Sequence, residues 1–128
     1  MIQLSLEQYD VLQRYYELLG TVEEGFEYVV SSFEDISHSN ADQVLVDIFA
    51  ALSSIYQTND HLLSLFKDQK EIVASIHFFN GVITEISKLE NSFENEQKKQ
   101  QFIKSNIYPA FQAWKESIQD KLSIYVVQ

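Results

Sequence analysis

The chain has 128 residues, of which 45% are apolar and 13% aromatic, and carries a formal charge of −10 at neutral pH. This is enough apolar material to bury a core within one domain, and it excludes an intrinsically disordered chain. No cysteine is present, which excludes a disulfide framework, a cysteine-ligated zinc site and a thiol nucleophile.

The charge is unevenly spread. Met1 to Phe66 hold 11 acids and one base, Arg14, whereas Lys67 to Gln128 hold 8 acids and 8 lysines. A first half of that sign repels nucleic acid and anionic membrane and favours a basic partner. The plainer alternative is a helical hairpin with a well-solvated acidic face. The start, MIQLSLEQYD, lacks the basic segment and apolar run of a signal peptide, and no stretch is long enough to span a bilayer, so a cytoplasmic location is expected.

With only 3 glycines and 1 proline, the chain is poor in turn residues, and its apolar positions recur at helical spacing. An all-α fold follows. The first predicted helix, residues 6–36, carries the stripe Leu12, Tyr15, Leu19, Val22, Phe26, Val29, Phe33 and Ile36. Ser5 and Gln8 form a capping box at its start, and because the stripe keeps its phase across Gly20, one continuous helix is expected. Asn40, with Gln43 reaching back, is expected to cap a second helix over 41–66. Its stripe is Leu45, Ile48, Leu52, Ile55, Asn59, Leu62 and Phe66, flanked by Phe49, Tyr56 and Leu63.

Asp68 and Glu71 predict a further capping box opening a third helix over 69–93, with Ile72, Ile76, Phe79, Ile83, Ile86, Leu89 and Phe93 inward. The charged run from Glu90 to Gln101 is expected to contain the next turn. A fourth helix over 106–126 presents Ile107, Phe111, Trp114, Ile118, Leu122 and Tyr125, with Ser105 or Asn106 as its cap and Pro109 in its first turn. The alternative is a helix starting near Lys98 and kinked at Pro109. Four amphipathic segments with short connections specify a single-domain, antiparallel up-down-up-down four-helix bundle.

Several residues invite a chemical reading. Glu24 and Glu27 form an E-x-x-E pair that resembles half of the magnesium motif of MazG-type helical nucleotide pyrophosphatases. The completing E-x-x-D on the next helix is missing, because Asp42 and Asp47 lack that spacing. On a helical wheel, Asp10, Glu17, Glu24 and Asp35 lie opposite the stripe and Glu27 at its flank, as a solvated face requires. The histidines do not form the inward E-x-x-H pairs of di-iron bundles. His61 and His77 fall on outward sides, and His38, three residues after Asp35, falls where the first helix ends. No metal or cofactor site is expected.

Asn59 is the polar member of an otherwise apolar stripe. A buried amide there is expected to fix register between helices, or alternatively to orient a ligand within the bundle beside Asn80, Thr84 or Lys121. No nucleophile elbow and no phosphate-binding glycine loop occur. The cluster Lys98, Lys99 and Lys104 is short and flanked by acids, so direct nucleic-acid binding is not expected.

Tyr28, set among Glu17, Glu24, Glu27 and Asp35, has the anchor-and-charge composition of a protein-binding patch. Leu6, Val46 and Phe102 are expected off the core. In size, acidity and all-α build, and in its amphipathic last segment FQAWKESI (Phe111 to Ile118), the chain resembles the small bacterial flagellar and secretion export chaperones. That resemblance implies a non-enzymatic, chaperone-like or adaptor protein that binds another protein. The candidate binding surface is Asp10, Glu17, Glu24, Glu27, Tyr28 and Asp35, and the partner is expected to be basic. A homodimer is also compatible with the spacing. An acidic nucleic-acid mimic, phage- or defence-related, is the alternative, followed by an enzyme with a metal or ligand in the bundle core. Eight lysines in the second half against one arginine in the whole chain point to an AT-rich bacterial genome or its phage.

Overall fold

The computed structural model describes residues 2–34, 40–89 and 95–126. Asp35, Ile36, His38 and Phe93, which figured in the expectations above, lie outside these. The described residues are helical, and no strand occurs among them.

Helix α1 runs from Leu6 to Ser32 without interruption at Gly20, and ends before the predicted Ile36. Ser5 has an extended backbone, so its hydroxyl accepts from the Gln8 N–H at 3.1 Å while the Gln8 side chain accepts from the Ser5 N–H at 2.9 Å. The capping box is formed. Helix α2 spans Ala41–Leu65 and starts at Asn40, but the Asn40 side chain does not cap it. A capping side chain needs an extended backbone, and Asn40 sits instead at φ −98°, ψ 13°. Gln43 turns forward, donating to Asp47 at 3.0 Å.

The third capping expectation also fails. The N-cap of α3 (Lys70–His77) is Gln69, and no side chain caps it. The chain instead closes a tight turn in which the Gln69 N–H donates to the Phe66 carbonyl at 2.8 Å. The predicted third helix is broken once, at Phe78, after which α4 covers Phe79–Lys88. The break changes which side faces inward. Ile72, Ile76 and Phe79 are buried as expected, but beyond them Val82 is buried while Ile83 and Ile86 remain half-buried.

The last helical segment begins ten residues earlier than the predicted 106. Asn95 caps α5 (Glu96–Phe102), accepting from the Lys98 N–H at 3.1 Å. A π-helical turn over Ile103–Ile107 leads into α6 (Tyr108–Leu122), and a 3₁₀ turn follows over Ser123–Tyr125. The Tyr108 N–H reaches back to the Ile103 carbonyl, a wide i→i−5 bond just ahead of Pro109, which has no N–H to offer. The wide turn also solves a phase problem. Ile103, Ile107 and Phe111 are all buried, yet two successive steps of four would carry an ideal α-helix about 80° round its axis.

Helix α1 packs chiefly on α2, and α6 packs on α3, α4 and α1. Gly25 of α1 makes the first crossing close: a Cβ there would meet Ile48 Cγ1 at 3.1 Å. Aromatic rings fill the centre, with Phe26 against Phe111 and Phe79 against Trp114 at centroid distances of 5.4 and 4.5 Å. At one end the ring of Tyr125 meets Phe66 at 5.1 Å, and its hydroxyl accepts from the Ile2 N–H.

Candidate functional site

The acids of α1 divide into two groups. Asp10, Glu17 and Glu24, seven residues apart, are exposed, and so is Glu27. Asp10 is bridged by Arg14 at 3.1 Å, and Glu17 accepts from the Gln13 amide at 3.2 Å. Glu23 behaves differently. It is half-buried and forms a 3.3 Å bridge to Lys115 of α6, so this acid clamps two helices. Nearby, Tyr108 stacks on Phe26 at 5.4 Å. Burial raises its hydroxyl pKa above the ordinary value, helped by the charges of Glu27 and Glu23.

Tyr28 is not the exposed anchor expected: it is half-buried and makes a contact of its own. A wheel position locates the Cβ of a residue, not the reach of its ring. Phe102 is likewise partly buried against the core, whereas Leu6 and Val46 are exposed. Among the described residues, the exposed aromatic ones are Phe78 and Tyr56, at 65% and 48% exposure.

Asn59 is buried, as its stripe required, and its Oδ1 accepts a 2.6 Å hydrogen bond from the Tyr15 hydroxyl of α1. Burial raises the Tyr15 pKa, so the hydroxyl stays a donor. A second buried polar pair escaped the sequence reading. Ser75 of α3 accepts from the Trp114 indole through its carbonyl at 2.9 Å, and its hydroxyl meets Ser117 at 2.8 Å. Asn59 also reaches a cleft of about 150 Å³ between α2 and the third helical segment, where Asp60, His77 and Asn80 join it. Thr84 and Lys121 lie elsewhere: Thr84 bonds the Asn80 carbonyl at 2.9 Å and Lys121 bridges Glu71 at 3.7 Å.

Next to that cleft, sharing Tyr56 with it, a wider groove of about 310 Å³ runs between α2 and α4. Phe49, Leu52, Ser53 and Tyr56 form one wall and Ile83 and Ile86 the other. It exists because α2 leans on α1 while α4 leans on α6, which leaves Ile83 and Ile86 only half-covered at the edge of the core. Their apolar neighbour Val82 was the available signal, since either of two adjacent residues could continue the stripe.

His61 and His77 are exposed, on outward sides of their helices. Among the described residues, no three histidine, aspartate or glutamate side chains come together as a metal would need, and no helix is long and apolar enough to cross a membrane.

The family model of a domain of unknown function, DUF8042, matches residues 10–117. The chain belongs to the DUF8042 family. The matched segment contains the row Asp10, Glu17 and Glu24, the Tyr15–Asn59 pair and both walls of the α2–α4 groove. The chain is also similar to the uncharacterized protein YvzG of Bacillus subtilis (strain 168), with 24% identity over 123 residues, covering 96% of this chain and 98% of that protein. No solved structure matches.

Proposed function

We propose that this is a non-enzymatic cytoplasmic protein, an antiparallel up-down-up-down four-helix bundle, that binds another protein. The observation that carries the reading is the pairing of an uncovered apolar groove with acidic helices. At the α2–α4 seam Tyr56 is exposed and Phe49, Ile83 and Ile86 are half-buried, while α1 exposes Asp10, Glu17, Glu24 and Glu27. Grooves of that kind bind by burying apolar surface, and rim charges steer the encounter. The bundle topology is supported by α1 lying against both α2 and α6 and by the tight turn joining α2 to α3.

Two competing functions are less well supported. In a nucleic-acid mimic the acids would imitate phosphates, which follow one another every ~3.4 Å along a strand. Steps of seven residues along α1 space them about 10.5 Å apart. An enzyme built around Asn59 would need a site of about 300–1,000 Å³, and the cleft it reaches is about 150 Å³.

Affinity capture from bacterial lysate tests the function. Wild type is compared with Asp10→Lys/Glu17→Lys/Glu24→Lys, after circular dichroism has established equal helicity. A specific protein held by wild type and lost by the variant is expected. Retention of the same protein by both would make the α1 acids mere solvated surface.

A further inference from the structure

We propose that the groove between α2 and α4 receives an amphipathic helix from a basic protein. Resting on the protein-binding function above, this assignment narrows the partner to one structural element and one charge.

Length supports a helix. The groove and the polar cleft continuous with it follow α2 from Phe49 to Leu63, about 21 Å at 1.5 Å per residue. Three to four helical turns fit there, and their apolar face, repeating at i, i+3 or i+4, and i+7, would cover Phe49, Tyr56, Ile83 and Ile86.

Charge selects the partner. Helix α2 has no lysine or arginine, and its Asp60 lines the cleft, whereas Asp47 lies on the other side of the helix, in a hollow beside Thr21 and Gly25 of α1. Across the groove, Glu85 and Lys88 of α4 bridge one another at 3.2 Å and so offset each other's charge. The rim is therefore acidic at one end, where Asp60 lies beside Asn59 and Asn80. A second copy of this chain, seated in the same groove, would bring the same acidic helix to the interface twice in a pair carrying −10 on each chain. A lysine- or arginine-flanked helix meets no such repulsion, and one basic side chain at its end can reach Asp60.

Photo-crosslinking in the bacterial host decides the matter. The residue p-benzoylphenylalanine is introduced in place of Ser53, which is exposed on the groove wall, and separately in place of Gln112, exposed on α6. Adducts are mapped by mass spectrometry. The expected result is a Ser53-dependent adduct to an amphipathic, lysine- or arginine-flanked segment of another protein, absent from the Gln112 sample and reduced about tenfold by Tyr56→Ala, as truncation of a central aromatic anchor would do. An adduct to a second copy of this chain, or to an acidic or apolar-poor segment, overturns the proposal. So does the absence of a Ser53 adduct while a partner is still captured through the α1 acids, and in that case the protein-binding function survives without the groove. Failure to capture any partner removes both.

Discussion

The hydroxyl of Tyr15 donates to Asn59 Oδ1 at 2.6 Å, a buried bond that joins α1 to α2 at the edge of the polar cleft. A bond across the seam opposes slippage, because sliding α2 by one turn would separate Tyr15 from Asn59. Removing one partner leaves the other orphaned, so Tyr15→Phe and Asn59→Leu should each lower stability by about 1–3 kcal/mol. The double variant should recover most of that loss, because two apolar groups replace a satisfied pair. Urea unfolding of the four proteins in the cycle measures the coupling. Additive losses would show that the pair is not a unit.

Stability should fall in alkali. Burial raises the pKa of Tyr15 above its ordinary value of 10.0, and that of Tyr108 is raised too, first by burial and then by Glu27 and Glu23. The folded chain thus keeps protons that the unfolded chain releases above about pH 10. The full contribution is present below that pH and is lost as pH rises beyond it, by up to about 1.4 kcal/mol per pH unit for Tyr15 and by less for the more solvated Tyr108. Urea midpoints measured across that range should decline, and Tyr15→Phe should flatten the decline.

The three glycines should answer differently to alanine and valine. Nothing lies within 4 Å of a Cβ placed at Gly20 or Gly81. Gly20→Ala, in the middle of α1, should therefore raise stability by about 0.5–1 kcal/mol, and Gly81→Ala, in the first turn of α4, by less. Gly25→Val should lower it, because Ile48 Cγ1 and Cδ1 already stand 3.1 and 3.2 Å from the Cβ position. Thermal unfolding of the three variants checks the order.

The buried faces of α1 and α2 were legible because their apolar steps alternate between three and four without a competing phase. Asn59 was legible for the same reason. Less legible were features that depend on backbone geometry. Asn40 has a capping side chain but lacks the extended backbone that Ser5 and Asn95 possess. The early start of the last helical segment was the alternative the sequence offered, a helix from near Lys98, and it was set second because Ile103, Ile107 and Phe111 repeat at intervals of four, which the wide turn before Pro109 brings into line. The groove was hidden most completely. Phe49 and Tyr56 read as the broad edge of a core-facing stripe, and Ile83 and Ile86 as core, because a single sequence does not show that α4 packs on α6 rather than on α2. Tyr28 is half-buried rather than exposed, and Glu23, which its wheel position does not single out, bridges to Lys115.

The most direct test of the account is the binding kinetics of the captured partner on immobilised wild type, Glu17→Lys/Glu24→Lys and Tyr56→Ala. Exposed charges outside the buried contact, such as those of α1, act on encounter by long-range steering, and apolar anchors act on escape. The account predicts that charge reversal lowers kon and its dependence on salt, while Tyr56→Ala leaves kon unchanged and raises koff about tenfold or more. An unchanged kon on charge reversal, together with an unchanged koff for Tyr56→Ala, would contradict it.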